Sequence, residues 1–321
     1  MTVPDWSAIA VTFPGQGSQQ VGMGADLARA YPAAATLFSQ ADQILGESFA
    51  SLCFDGPAEA LDDTRNTQPA LYVMGVAVYR ALESHANDQG KLLPLAAAGH
   101  SVGELTALTA AGALDFADGL RLVRERALAM YEAGQQQPGA MAALLGPTVA
   151  EADAICADAS AESGQPVVVA NDNCPGQVVI SGNSAALERA LALASERGVK
   201  RSIRLAVSIA AHSPLMAEAA ERFQRALART TFEPPRFPVI SNATMQPLIT
   251  PDDIRAALGR QLTSSVHWTD SVRALRTMGA ATFLELGPKD VLTGLLKRID
   301  RAAVGIPLNS ADAVQAFLDS N

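Results

Sequence analysis

The pentapeptide Gly99-His100-Ser101-Val102-Gly103 sets a serine between small residues, behind an apolar run and ahead of a helical stretch. That is the setting of a nucleophile elbow, in which a sharp turn exposes the hydroxyl and small neighbours relieve the crowding. At a helix N-terminus the backbone N–H groups and the dipole also favour developing negative charge. The plain alternative is a tight turn with no chemistry. A serine nucleophile needs a base, and the histidines are His85, His100, His212 and His267. His100 adjoins the serine, too near in sequence for its ring to face the hydroxyl comfortably. His85 reads as solvated at the polar end of a helix, and His267 as a core or surface histidine. His212 differs. The small residues 206–211 read as a strand that ends at it, and Ser213-Pro214 can cap and begin a helix. That places His212 at the carboxyl end of a strand, where open α/β sheets gather ligands. A helix N-terminus there would also keep the imidazole neutral, as a base must be.

Two further features could meet an anion. On "FADGLRLVRERALAMYE", helical spacing puts Arg121, Arg124 and Glu125 on one face, within about 100°. Arg126 falls instead between Leu122 and Met130, on the apolar side. Arginine is costly there unless an anion pairs with it, ideally a carboxylate gripped by both arms. Two readings stay open: an internal salt bridge, which periodicity alone favours, and a site kept for a ligand. The second feature is the glycine-rich loop "TFPGQGSQQVGMG" (12–24) after the apolar run 8–11. Gly15 and Gly17 fit a dinucleotide fingerprint, but Gln20 stands where its third glycine belongs. The ribose-binding acid expected about twenty residues on would end a second strand, whereas residues 38–45 have helical spacing.

The elements that must position these groups alternate between strand-like and helical, the α/β pattern. Helices are expected near 23–30, 34–46 and 68–87, a short buried strand over 95–98, then helices from about 101 and over 117–134. Residues 139–206 change character: strand "GAMAALLG", helix 148–162, strands "PVVVAND" and "GQVVISG", helix 184–197, strand "KRSIRLA". That order, βαββαβ, is the split-βαβ ferredoxin-like pattern. The expected architecture is a large subdomain with a parallel sheet (1–136 and 207–321) carrying an inserted small subdomain (137–206). Strands near 237–241 and 281–286 belong to the larger part.

Composition excludes several classes. Of the 321 residues, 49% are hydrophobic and 18% charged, enough for a large core and against disorder. A net charge of −9 without a basic, aromatic-rich run argues against nucleic acid. No apolar run approaches the roughly 18 residues of a membrane span, and residues 1–7 do not resemble a signal peptide. Cys53, Cys156 and Cys174 lack C-x-x-C spacing and read as reduced, buried thiols. A cytoplasmic monomer is the expectation.

"FPGQGSQ", "TQPAL", "GHSVGE", the helix with Arg126, "NDNCPGQVVISG" and "AAHSPLM" occur in the order seen in malonyl-CoA:acyl carrier protein transacylases. The chain resembles that family over roughly residues 8 to 300. The resemblance implies an α/β-hydrolase-like large subdomain, with Ser101 as nucleophile and His212 as base. It implies that the backbone carbonyl of Gln261 orients the imidazole in place of an acid. Gln16 and Val102 would supply oxyanion-hole N–H groups, and Arg126 would bind the malonyl carboxylate, with Met130 and Gln16 also lining the substrate site. The implied reaction is ping-pong transfer of malonyl from malonyl-CoA to the phosphopantetheine thiol of acyl carrier protein, for fatty-acid or polyketide synthesis, without metal or redox cofactor. By the same resemblance Val102 looks malonyl-like, and Ala211, before His212, is small. Lys289, Lys297, Arg298 and Arg301 could form a basic patch for an acidic carrier, or simply a solvated helix face. Two rivals remain: a serine acyl hydrolase or thioesterase, which the buried arginine argues against, and a non-catalytic carrier-binding scaffold.

Overall fold

The computed structural model describes residues 5–86, 92–207 and 209–320. The side chain of His85 and the end of the helix expected over 68–87 lie outside the described residues, as does part of the 1–7 stretch. Two sheets organise the chain. The larger contains β1 (Ile9–Phe13), β2 (Ala96–Gly99), β7 (Val239–Ile240), β8 (Pro247–Leu248), β10 (Thr282–Leu286) and β11 (Val304–Leu308), in the order β11-β10-β1-β2-β7-β8. All neighbours are parallel except β8, which returns antiparallel on β7. Both faces of a parallel sheet are covered, and the burial follows that rule. Ile9, Val11, Phe13 and Ala97 face the main core, while Ala10, Ala96 and Ala98 pack with Trp268 and Phe283 on the other side.

Adjacency of β1 and β2 brings the two glycine motifs together. Phe13 pairs with Gly99 at the carboxyl ends of these strands, and His100 N–H donates to Phe13 O at 2.9 Å. The glycine loop and the elbow therefore leave the sheet side by side. Helix α2 (Gly103–Ala110) follows the elbow and is buried at all eight positions. It packs so tightly on β1 that a Cβ at Gly103 would overlap the Phe13 carbonyl oxygen.

Two long helices flank this site. Helix α1 (Thr64–Ala86) begins earlier than its apolar pattern suggests, with Pro69 inside it. Proline at that position leaves the carbonyl four residues back without its helical donor. That carbonyl, Arg65 O, accepts instead from Arg124 of α3 (Phe116–Gln136) at 2.8 Å. The polar face of α3 is paired as helical spacing suggests: Arg121 with Asp118, Arg124 with Glu47 and Glu125 with Arg222.

The smaller sheet runs β6-β3-β5-β4-β9, from β3 (Gly139–Leu145), β4 (Val167–Cys174), β5 (Gln177–Asn183), β6 (Arg201–Arg204) and β9 (Val266–His267). The first four are antiparallel, with α4 (Val149–Ser163) and α5 (Ser184–Glu196) on one face. Alternate residues Met141, Ala143 and Val179 turn to the main core, as period-two strands require. The fifth strand comes from later in the chain, parallel to β4, so this sheet is not confined to residues 137–206. Residues 206–211 correct another expectation. Where described, they are bend and coil, because the ladder to β3 ends with Arg204 opposite Ala142.

The packing predicts opposite outcomes for two glycine substitutions. Gly103→Ala should cost about 1–3 kcal/mol or more, as overpacking does. Gly294→Ala, in the helix Val291–Ile299 with nothing within 4 Å of the added carbon, should be neutral or gain about 0.4–1 kcal/mol. Urea unfolding of both variants checks this, and a shift of the same sign in both would contradict the packing.

Candidate active site

Ser101 sits at the turn between β2 and α2 with φ of 54 degrees, a left-handed conformation that non-glycine residues seldom adopt. Asn242, just past β7, holds the turn from both sides. Its Oδ1 accepts from Ser101 N–H at 2.7 Å, and its Nδ2 donates to Gly99 O at 2.6 Å. The glycine loop lies against the same turn: a Cβ at Gly15 would stand 2.6 Å from His100 O. Neither Gln16 N–H nor Val102 N–H donates to an acceptor among the described residues. Both flank the elbow, one on the glycine loop and one beside Ser101.

His212 reaches Ser101 from the segment after β6, itself at φ of 58 degrees. Ser101 Oγ and His212 Nε2 are 2.8 Å apart. His212 Nδ1 lies 3.0 Å from both Gln261 O and Ser264 O. Carbonyls only accept, so Nδ1 carries the proton and Nε2 is left to accept from the serine. Ser213 caps the following turn, its Oγ accepting from Leu215 N–H. Burial pushes the His212 pKa down to about 3, helped by the positive charge of Arg126. His100 points away, its Nε2 2.9 Å from Asn173 Oδ1 on β4. His267 lies in β9, and its imidazole takes no part in the Ser101 network among the described residues.

Arg126 is 1% exposed and forms none of the ion pairs found among the described residues. The internal salt bridge favoured by periodicity is therefore not there. Its Nη1 donates to Gln68 Oε1, and its Nη2 donates to Ser101 Oγ at 3.0 Å and to Gln261 Oε1 at 2.9 Å. Its Nε has no partner among the described residues. Met130, one turn along α3, touches Gln68, whose amide approaches its sulfur at 3.4 Å. Gln261 ends helix α6 (Pro251–Gln261) and does more than its carbonyl alone. Its Nε2 donates to Ser101 O at 3.1 Å and to Glu104 Oε2. A nucleophile with a neutral base, next to an unpaired buried cation, can form an ester with an acyl group that carries its own anion.

Comparisons with known proteins identify the family. Residues 11–309 match the family model described as the acyl transferase domain. The chain belongs to the acyl transferase family. It is 44% identical over 310 residues to the malonyl CoA-acyl carrier protein transacylase of Escherichia coli O157:H7, covering 97% of this chain and 98% of that protein. The crystal structure of malonyl-CoA:acyl carrier protein transacylase from Xanthomonas oryzae superposes with a TM-score of 0.92 at 43% identity, over 98% of each chain. A malonyl-transacylase solved in complex with its type II polyketide acyl-carrier protein gives 0.92 at 39%, over 98% of this chain and 99% of that one.

Within this acyl transferase site, four contributions escaped sequence reading: Asn242, Gln68, Glu104 and the side chain of Gln261. Glu104 left a signal, as the one acid of "GELTALTA", a helix with no polar face to receive it. Gln68 falls within "TQPAL", where spacing alone gives it no role. The basic patch is partly spent inside the fold: Lys289 Nζ donates to Gly17 O at 3.1 Å, and Arg298 donates to Gln177 Oε1 and Pro175 O. The three cysteines are free and buried. No helix among the described residues is long and apolar enough to cross a membrane.

The lowered pKa of His212 ties stability to pH. Its folded value lies below its unfolded value, so the unfolded chain binds the proton first. The stability associated with neutral His212 is intact above about 6.5 and falls away as pH drops below it. The advantage of the native protein over His212→Asn should therefore shrink by about 1–2 kcal/mol between pH 6.5 and 5. Glu104, present in both, cancels in the difference. Urea unfolding across that range checks the sign, and a constant difference would show that His212 titrates alike in both states.

Proposed function

We propose that this acyl transferase moves malonyl from malonyl-CoA to the phosphopantetheine thiol of acyl carrier protein through a malonyl ester on Ser101. The observation that carries the reading is Arg126, a buried guanidinium without a carboxylate partner, donating to the nucleophile's own oxygen. A malonyl thioester presents a carboxylate two bonds beyond the reacting carbonyl, where such a cation can hold it. The names of the similar proteins, and the carrier protein bound to one of them, support the same substrates.

In the first half-reaction Ser101 Oγ attacks the thioester carbonyl while its proton passes to His212 Nε2. The oxyanion that forms is met by the N–H groups of Gln16 and Val102. Donors placed for that charge are worth several kcal/mol in the transition state. The C–S bond then breaks and the imidazolium returns its proton to the departing coenzyme A sulfur. In the second half the carrier's thiol gives its proton to His212 and attacks the malonyl-serine carbonyl; the C–Oγ bond then breaks and the imidazolium returns the proton to Ser101 Oγ. The Gln261 and Ser264 carbonyls hold the Nδ1 proton throughout, so one nitrogen serves as base and acid in turn. Bonds of similar energy are exchanged, and this reading calls for no cofactor. Met130 packs behind Gln68 and helps shape the malonyl end of the site. The proposal includes a cytoplasmic monomer, since the residues it uses, Ser101, His212, Arg126 and Gln261, are complete within one copy.

Incubation with malonyl-CoA should add one malonyl group to the intact protein by mass, and Ser101→Ala should add none. A Ser101→Ala protein that is still labelled would rule out this nucleophile. His212→Ala should slow both half-reactions by something on the order of 10²–10⁴.

Arg126→Ala separates substrate recognition from a purely structural role. Loss of a charge-assisted contact to a buried carboxylate costs roughly 2–5 kcal/mol. That is about 30- to several thousand-fold in malonyl transfer. Acetyl transfer should hold steady or rise. The measurement is the malonyl-to-acetyl ratio, with melting temperature alongside, and an unchanged ratio would leave Arg126 as a core residue only.

A further inference from the structure

Burial of Arg126 creates a conflict. A cation removed from water is ordinarily paired with an anion. A carboxylate gripped directly would satisfy the charge, yet it would occupy the donors that a substrate carboxylate needs. The polar partners of Arg126 are all neutral: Gln68, Ser101 and Gln261.

A countercharge stands one residue further away. Glu104, on α2, is 1% exposed. Its Oε2 accepts from Gln261 Nε2, and its Oε1 has no partner among the described residues. The other end of that amide, Gln261 Oε1, accepts from Arg126 Nη2 at 2.9 Å. Cation, amide and carboxylate stand in sequence, the amide turning its oxygen to the cation and its N–H to the anion. The guanidinium is compensated at a distance, and its Ser101 side stays available.

We infer that Glu104 tunes selectivity for carboxylate-bearing acyl groups, acting as a held-back counter-ion that partly offsets the charge of Arg126 and competes with the substrate carboxylate for it. This rests on the reading of Arg126 given above. Glu104 touches neither substrate nor reacting atoms and acts through Gln261 and through its charge. Neutralising it should strengthen the pull of Arg126 on a malonyl carboxylate and leave an acetyl group unaffected. A merely structural carboxylate would affect both ligands alike.

The surroundings let pH do the same. Arg126 of α3 is the charged group facing Glu104. β1, β2 and β7 carry no ionisable side chain against it, and on α1 Tyr72 is engaged with Thr109, further along α2. His100 and His212, at the elbow, are kept neutral by burial. Burial raises the Glu104 carboxyl to about 7, against the hydrogen bond from Gln261, the backbone N–H of Asn242 and the charge of Arg126. A carboxyl raised in this way is neutral below that value and negative above it.

Affinities of malonyl-CoA and acetyl-CoA, measured by calorimetry on Ser101→Ala and on Ser101→Ala/Glu104→Gln, test the inference without turnover. At pH 8.5 the double variant should bind malonyl-CoA on the order of tenfold more tightly, with acetyl-CoA within about twofold. On Ser101→Ala alone, lowering pH from 8.5 to 6.5 should tighten malonyl-CoA relative to acetyl-CoA. The coenzyme phosphates are common to both ligands and cancel in that ratio. The pH arm stands even if the double variant fails to fold. A ratio that ignores both changes, or moves toward acetyl, overturns the inference. A malonyl advantage that is lost with Arg126→Ala but ignores Glu104 overturns it alone. No malonyl advantage attributable to Arg126 overturns the reading of that arginine, and this inference with it.

Discussion

A buried guanidinium without a salt bridge is the constraint around which the site is arranged. Arg126 enters from α3 because its helical position faces the core. It keeps its charge because neutral acceptors from α1, the elbow and α6 converge on it. Gln261 links these parts. Its carbonyl faces His212, its amide oxygen accepts from Arg126, and its amide nitrogen reaches the backbone of Ser101 and the carboxylate of Glu104. Base, nucleophile and anion receptor therefore share one residue, and a shift of α6 would disturb all three.

Close backbone approach is the second condition. The elbow and glycine loop leave neighbouring strands at the same level, so segments separated by the whole of α1 and the shorter helices before it meet at a hydrogen bond between His100 and Phe13. Ser101 and His212 both hold positive φ. Such strain persists only where surrounding contacts determine it, and the Asn242 amide is one contact that does so at Ser101. The inserted sheet contributes through one side: β4 supplies Asn173 to His100, and the edge strand β9 joins it from the later chain, with His267 N–H donating to Asn242 O at 3.0 Å. The second sheet is thereby tied to the asparagine that clamps the elbow.

Much of this was legible in the residues because it is local. Alternation of strands and helices, the βαββαβ order, the elbow and the apolar setting of Arg126 follow from periodicities of two and 3.6 and from glycine placement. Ser213 as a cap is equally local. The reading went astray where tertiary contact overrode local pattern. Small residues over 206–211 look like a strand, but no partner continues the ladder there. The carboxylate that periodicity assigned to Arg126 is replaced by amides from distant segments. His212 is neutral through burial and the field of Arg126, neither of which its neighbours in sequence reveal.

Residue types and spacing therefore fix which groups exist and on which face of each element they lie, since backbone geometry and hydrophobic spacing act over a few residues. Which of them meet is set by the packing of distant segments. Whether a buried arginine is neutralised or left free, which nitrogen of a histidine carries the proton, and whether a glutamine works through its carbonyl or its amide depend on acceptors from remote parts of the chain. Electrostatics in a buried site is set by neighbours in space, and sequence distance carries no information about them.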